Sequence, residues 1–407
     1  MTFFPKDIAS KIILLFCLIV IILSIKFIRE QNKWSPIDEY AHMDYIDKLG
    51  EGRLPILSDT ISEELFQHII NDSIKSVSGR VYFREQLGIG NYSYEAIHPP
   101  LYYSILLIPN LILKKINYSI FERLKILRLI SYFLFVVGIF LCLLLFKELS
   151  KLGFLIPNYY SYGCVLFGLL IATNHRYGLG NNMLSPLIIN LTAIYLLKYI
   201  RVPSNKHLLT FILFSGLSVF VAISNLFIIP FLLLIAFYKY IYNYSIRSFL
   251  CSILTVSGFI FTFWLWKSLT IPEKQLNDNF QTILSMFIPA GLVDYKTFLK
   301  LFAEDAFRLS FISEKIEGTW LLLSLFIINI LVILVFFKRT ISKHKWVIGF
   351  SLLFVCLITI TYLLNKYVAR VHWVAFRHYL GFIPVLYVSV TFWIVLLHDK
   401  LKNHLKF

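Results

Sequence analysis

The chain has 407 residues, of which 58% are hydrophobic, 17% aromatic and only 15% charged, and its formal net charge is +16. This composition excludes a soluble globular protein of the same length, which does not need so much apolar surface. The positive charge does not indicate nucleic-acid binding, because the basic residues lie at the ends of apolar runs, where the positive-inside rule and anionic lipids account for them.

About ten apolar runs are long enough to cross a bilayer as helices. They are continuous rather than alternating, which argues against a barrel of strands. The runs lie at roughly 11–28, 126–146, 157–173, 181–199, 207–223, 225–241, 248–268, 318–337, 346–364 and 379–397. The sequence therefore predicts an all-α, polytopic membrane protein with a single transmembrane domain over residues 1–407.

A further apolar run at 100–113 is shorter, opens with Pro100 and is followed by Lys114 and Lys115. If this run does not cross the membrane, nearly all Lys and Arg residues of the short loops fall on one side. The positive-inside rule makes that side the cytoplasmic one. The charge pattern therefore predicts an interfacial or re-entrant helix at 100–113 and a cytoplasmic position for both termini.

This topology gives the outer face its two longest loops, at about 29–125 and 269–317. The first loop is expected to contain interfacial helices. The unusual polar clusters of the chain all fall on this face, either in the first loop or at the ends of spans. These clusters are therefore the candidates for a functional site.

The first cluster is Ser-Pro-Ile-Asp-Glu at 35–39, directly after the first span. Serine before proline, with an acid two residues later, is also an ordinary helix start. Asp38 and His42 are one helical turn apart, however, and Tyr45 continues the same face. Carboxylates beside hydrocarbon are costly and usually functional. Asp38, Glu39 and His42 are therefore candidates for a general base or for a divalent metal site.

The second cluster is His-Pro-Pro-Leu-Tyr-Tyr at 98–103, preceded by Glu95. Proline before a helix is common, and aromatic residues are typical of membrane interfaces, so a structural role alone would explain the pattern. The alternative is that the two prolines rigidly direct His98 toward the groups that Asp38 faces.

The third cluster, at 174–182, contains Arg176 and ends with Asn181 and Asn182. Glycines and paired asparagines at a helix start suit an N-cap, which is the simplest explanation of the asparagines. Arg176 has no such role at a helix start, although it could contact lipid phosphate.

The fourth cluster, Arg377 and His378, opens the last predicted span. An arginine at this depth can extend to the lipid headgroups without any specific role. Its guanidinium is also suited to bind phosphate oxygens in a bidentate way.

In order and spacing, the four clusters resemble motifs of the GT-C superfamily of integral membrane glycosyltransferases. The resemblance is closest to the branch that contains protein O-mannosyltransferases and lipid A aminoarabinose transferases. The matches are an Asp-Glu pair in the first outer loop (Asp38-Glu39, followed by His42), a His before Pro-Pro-Leu-Tyr-Tyr (His98 to Tyr103), an Asn turn that opens a span (Asn181-Asn182) and a basic start to a late span (Arg377 to Leu380). The acid common after the Asn turn is replaced by Met183, and His378 is inserted in the last motif.

The resemblance implies transfer of a sugar from a polyprenyl-phosphate carrier to an acceptor hydroxyl, with inversion, on the outer face of the membrane. It implies that Asp38 is the base and that Glu39 supports it or holds a divalent ion such as Mg²⁺ or Mn²⁺. The groups expected to bind the phosphate and the substrate are His98, Tyr102, Arg176, Asn181, Asn182, Arg377 and His378. The acceptor would be a glycan, lipid or protein, and the expected location is the bacterial plasma (inner) membrane.

The alternative function is a transporter or flippase of lipid-linked sugars. Such a protein would also need an aromatic groove and cations that bind phosphate. Transporters typically carry ionisable groups at mid-membrane depth and internal repeats. The predicted spans contain few such groups and the sequence has no visible repeat, so the sequence favours the enzyme.

Overall fold

A computed structural model describes residues 5, 7–31, 34, 39–56, 59–71, 93–152, 157–170, 178–222 and 225. This part of the protein is all-helical. Its α-helices are α1 (Ile8–Glu30), α2 (Glu39–Gly50), α3 (Glu63–Asn71), α4 (Leu101–Lys115), α5 (Ile120–Lys151), α6 (Asn158–Leu170), α7 (Ser185–Arg201) and α8 (Asn205–Val219). Short 3₁₀ helices at Tyr94–Ile97 and Asn181–Leu184 precede α4 and α7. The predicted spans beyond residue 225 and the predicted loop at 269–317 lie outside the described residues.

Three helical segments are long and apolar enough to cross a membrane: Ile8–Glu30, Ile120–Lys151 and Asn181–Arg201. They correspond to the predicted runs 11–28, 126–146 and 181–199, and they support a membrane protein. The prediction of about ten spans extends over parts of the chain that are not described, so its total stays a prediction.

Helix α1 turns only a narrow stripe of its surface toward the protein. The stripe includes Ser10, Cys17 and Ser24, which are buried and spaced seven residues apart. Large residues such as Leu15 and Ile22 are more than half exposed, at 57% and 64%. Small residues allow α1 to approach α6 and α5 closely, while the exposed apolar side chains suit contact with lipid.

Helices α5 and α7 form a close contact around Gly138. A Cβ atom placed on Gly138 would lie 2.5 Å from the backbone nitrogen of Leu187, so only glycine fits. Asn190 of α7 donates a 2.7 Å hydrogen bond to the Gly138 carbonyl across this contact. A small residue joined to an interhelical hydrogen bond is a usual way to pack membrane helices.

Helix α5 begins six residues before the predicted span at 126, because Ser119 and Glu122 form a capping box. Its 32 residues make it longer than the hydrocarbon core, which about 20 helical residues cross. The additional N-terminal turns carry charged residues and pack beside α4. Asn110 of α4 contacts Arg123 near the start of α5 at 2.9 Å.

Helix α4, which covers the run 100–113, has 15 residues and is not among the three candidate spans. Tyr102, Leu106 and Asn110 on one of its faces are buried against α2 and α5. Ile108 and Ile112 on the opposite face are 66% and 58% exposed. The helix therefore combines a polar, buried face with an exposed aliphatic one.

Candidate functional site

Helix α2 is a short helix of mostly polar sequence, yet every residue from Glu39 to Lys48 is buried. Buried charges are tolerated when they are paired and hydrogen-bonded. Each carboxylate of this stretch, together with Lys48 and His42, has a charged or polar partner on a neighbouring segment or one turn away, as the following contacts show. Helix α2 is therefore the centre of a polar cluster at the end of the bundle where α1 ends and α5 begins.

Glu39, the first residue of α2, forms an ion pair with Arg128 of α5. The guanidinium approaches the carboxylate side-on, with its Nε donating to Oε1 at 2.7 Å and its Nη2 to Oε2. The backbone N–H of Leu179 also donates to Oε1, at 2.9 Å. Both charged side chains are fully buried. Because these three N–H groups engage the carboxylate, Glu39 is suited to orient its neighbours.

Tyr102 of α4 lies beside this ion pair. Its hydroxyl contacts the Ser131 hydroxyl at 2.7 Å and accepts a 3.1 Å hydrogen bond from the Gly180 backbone N–H. Burial raises the pKa of the Tyr102 phenol, so the hydroxyl stays protonated. Two successive amides, of Leu179 and Gly180, are thus held by side chains of α2 and α4.

Asn181 and Asn182 follow directly and are both buried. The Asn181 side-chain amide donates to the Val221 carbonyl at 3.1 Å, just beyond α8. The backbone N–H of Leu101 donates to the neighbouring Phe220 carbonyl at 3.1 Å. The turn after α8 therefore holds both the asparagine turn and the start of α4.

A second group of contacts surrounds Glu95, whose Oε2 lies 3.3 Å from Nε2 of His98 and 3.4 Å from Nδ1 of His42. The Tyr103 hydroxyl donates to the same oxygen at 3.4 Å and contacts His42 Nδ1 at 2.8 Å. Tyr103 also stacks on Tyr45, with 3.8 Å between ring centroids. Burial, reinforced by the charge of Glu95, raises the pKa of the Tyr103 phenol well above its usual value.

Glu95 and the two histidines beside it differ in how far their side chains are exposed to solvent. The side chains of His42 and Glu95 are 7% and 5% exposed, whereas that of His98 is 18% exposed. Gly180 joins the two groups of contacts, because a Cβ atom there would lie 3.9 Å from Nε2 of His42. The Glu95 group and the Glu39 ion pair are therefore adjacent parts of one polar cluster.

Two further ion pairs fix the remainder of α2. Asp44 accepts hydrogen bonds from Lys48 at 2.6 Å and from the Ser93 hydroxyl at 2.8 Å, which ties α2 to the residue before the first 3₁₀ helix. Asp47 accepts from Arg123 and from Asn110, both at 2.9 Å. The second set joins α2, α4 and α5. Both sets hold the scaffold of the site.

Six of the residues proposed from the sequence lie in this cluster: Glu39, His42, His98, Tyr102, Asn181 and Asn182. Their motifs are far apart in the chain and meet at the same end of the bundle. Asp38, Arg176, Arg377 and His378 lie outside the described residues.

Among the described residues, no three His, Cys, Asp or Glu side chains form a group that could hold a metal ion. Glu39 is engaged by Arg128, and His42 contacts Tyr103 and Glu95. A guanidinium in contact with the carboxylate would repel a divalent ion. Asp38, the third member of the proposed metal set, lies outside the described residues, so the metal site stays a prediction.

Sequence reasoning did not identify Arg128, which lies within the predicted span 126–146. A usable signal was present, because an ionisable residue inside an apolar run usually faces the protein interior and pairs with an opposite charge or a backbone carbonyl. Spacing could not identify that partner, since Glu39 lies 89 positions away.

Comparison with known protein families, with characterised proteins and with solved structures finds no match for this chain.

Proposed function

We propose that the protein is an inverting glycosyltransferase that moves a sugar from a polyprenyl-phosphate carrier to an acceptor hydroxyl. One observation carries the proposal: the motifs at 39–42, 95–103 and 179–182 form a single buried polar cluster beside the ends of apolar helices. A donor of this kind has a polar sugar-phosphate head and a hydrocarbon tail. It needs polar groups and a lipid-facing surface close together.

The proposed reaction uses Asp38 as the base, because it directly precedes Glu39 at the start of α2. Its carboxylate takes the proton of the acceptor hydroxyl while the hydroxyl oxygen attacks C1 of the sugar. The bond between C1 and the phosphate oxygen breaks, and the electron pair leaves with the polyprenyl phosphate. Attack opposite the leaving group inverts the anomeric centre.

Negative charge grows on the phosphate as it leaves, so the site needs donors that are already in position. His98 and Tyr102 are the described candidates. The His98 side chain is partly exposed, at 18%, so we infer that the ring can reach the phosphate while Glu95 holds it. Arg176, Arg377 and His378 complete the proposed set, with Asn181 and Asn182 as further hydrogen-bonding groups near the sugar.

The proposed location of the cluster is the outer face of a bacterial plasma membrane, with both termini in the cytoplasm. The exposed face of α4, formed by Ile105, Ile108 and Ile112, would then lie in the outer leaflet. The polyprenyl tail would lie in the same leaflet, next to this exposed aliphatic face of α4. The proposed acceptors are a glycan, a lipid or a protein.

Asp38→Asn provides the direct test, with the protein purified in nanodiscs and supplied with a labelled polyprenyl-phosphate sugar. We expect release of sugar from the carrier to fall by about 10²–10⁴-fold, the usual contribution of a general base. Asp7→Asn is the matched control, because Asp7 is also a carboxylate at a helix start and caps α1 at the opposite end. It should leave the rate unchanged.

Near-normal release by Asp38→Asn would exclude Asp38 as the base. A second measurement separates the enzyme from a flippase. If the intact labelled carrier moves between leaflets and no sugar is released from it with any acceptor, the protein is a transporter and the proposed reaction is wrong.

A further inference from the structure

Arg128 occupies an unusual position for an arginine in an apolar helix. Its side chain is 0% exposed and pairs with Glu39 inside the cluster described above. Besides its two bonds to Glu39, its Nη1 donates to the carbonyl of Gln31 at 3.0 Å. Gln31 directly follows the last residue of α1. One guanidinium therefore joins the end of α1, the start of α2 and the body of α5.

The ion pair extends this connection to the asparagine turn. Glu39 Oε1 accepts hydrogen bonds from both Arg128 Nε and the Leu179 backbone N–H. The guanidinium therefore fixes the carboxylate, and the carboxylate fixes the Leu179 amide. Tyr102 holds the following amide, of Gly180. Asn181 and Asn182 come next in the chain. The Glu39 carboxylate, held by Arg128, is thus a direct link between the start of α2 and the asparagine turn.

An apolar pair at positions 39 and 128 could also hold α2 against α5. Replacing buried ion pairs by well-packed apolar residues is often neutral or stabilising, so stability alone does not explain a charged pair here. Apolar side chains could not bind the Leu179 amide or the Gln31 carbonyl. The ion pair contributes what an apolar pair cannot, because its hydrogen bonds fix the orientation of three backbone segments.

We propose that Arg128 is a positioning residue of the site, which aligns the start of α2 with the turn containing Asn181 and Asn182 through Glu39. The role in turnover rests on the proposed sugar transfer. Arg128 itself does not contact the substrate. Its planar, forked guanidinium is what the geometry requires, and the single ammonium of a lysine cannot reproduce both bonds to Glu39 and the bond to Gln31.

The test compares Arg128→Lys with Arg201→Lys in nanodiscs. Arg201, at the end of α7, contacts Glu148 at 3.4 Å at the opposite end of the bundle, so its replacement controls for a change of Arg to Lys. Two quantities are measured for each variant: hydrogen exchange at the amides of Leu179 and Gly180, and steady-state transfer from a labelled polyprenyl-phosphate sugar.

In Arg128→Lys we expect exchange at the Leu179 amide to rise about tenfold or more, as a hydrogen bond to a charged group is weakened. We expect kcat to fall about 10²-fold, with a smaller change in KM, because displacements near 1 Å in a positioned site have effects of that size. The melting temperature of Arg128→Lys should stay above the assay temperature, so that both quantities are measured on folded protein. Glu39→Asp keeps the charge but shortens the side chain, and it should reproduce both effects if Arg128→Lys fails to fold.

The outcomes separate this inference from the proposed function. Unchanged exchange at Leu179 in both Arg128→Lys and Glu39→Asp would overturn the alignment. Increased exchange with normal kcat would overturn the role in turnover. If the unmodified protein transfers no sugar, the proposed function fails and the role in turnover fails with it, whereas increased exchange would still support the alignment.

Discussion

At the scale of single residues, Glu95 connects three side chains of the cluster. One of its oxygens lies within 3.4 Å of His98 Nε2, His42 Nδ1 and the Tyr103 hydroxyl. Glu95→Gln keeps the shape of the side chain but removes the charge that orients both imidazoles. Hydrogen bonds to charged groups contribute about 1.5–3 kcal/mol, so we expect KM for the labelled donor to rise roughly tenfold or more.

The control for this prediction is Glu51→Gln. Glu51 is half exposed and pairs with the equally exposed Arg53, and such surface pairs contribute little. The KM of the Glu51→Gln variant for the labelled donor should stay unchanged. An unchanged KM in Glu95→Gln as well would mean that the Glu95 group does not act on the bound donor.

The sequence predicted members of the polar cluster where the chemistry of a motif is local. His98 was proposed from the prolines that follow it, Glu39 from its place after an apolar run, and Tyr102 from the family resemblance. The partners were not identified, because the contact between Glu39 and Arg128 depends on how α2 packs against α5. Asp47 and Arg123 were missed for the same reason, since 76 positions separate them.

At the scale of helices, the contact between α5 and α7 depends on Gly138. Gly138→Ala would place a methyl group 2.5 Å from the Leu187 backbone, which cannot move without shifting α7. Overpacking of this kind costs about 1–3 kcal/mol, so we expect a clear fall in the melting temperature of the purified protein. The shift should also weaken the bond between Asn190 and Gly138.

Gly163→Ala is the matched control, because a Cβ atom on Gly163 of α6 meets nothing within 4 Å. Alanine favours a helix over glycine, so this variant should be as stable as the unmodified protein or more stable. Equal melting temperatures for both alanine variants would contradict the close contact between α5 and α7.

The start of α5 shows that an apolar span and the helix that contains it do not share boundaries. The apolar run began at 126, but the Ser119–Glu122 capping box begins the helix at Ile120. Hydropathy shows which residues suit the lipid core. The limits of a helix depend instead on its backbone hydrogen bonds and on its capping residues. The charged turns between Ile120 and Arg128 are stabilised by Asp47 and Glu39, which a scan for apolar runs cannot detect.

For the whole molecule, composition predicted a helical membrane protein, and the three apolar helices support that class. The side of the membrane was predicted from charge bias. The contacts of α4 bear on a separate question, whether α4 crosses the membrane, because Asn110 and Tyr102 meet α5 at Arg123 and Ser131, within its first twelve residues. A spanning α4 would be expected to pack along the apolar middle of α5 instead.

The topology leads to a prediction about two single cysteines, placed at Lys115 and at Lys151 in a protein whose five native cysteines are replaced by alanine. Lys115 ends α4 and Lys151 ends α5. If α4 lies in the outer interface, an impermeant maleimide added to intact cells should label Lys115→Cys, and it should label Lys151→Cys only after the membrane is permeabilised. If α4 crosses the membrane, every later segment changes side. Lys151→Cys should then be labelled in intact cells, and Lys115→Cys only after the membrane is permeabilised. The exchanged pattern would place the end of α4 on the cytoplasmic side and would remove the proposed interfacial position of α4.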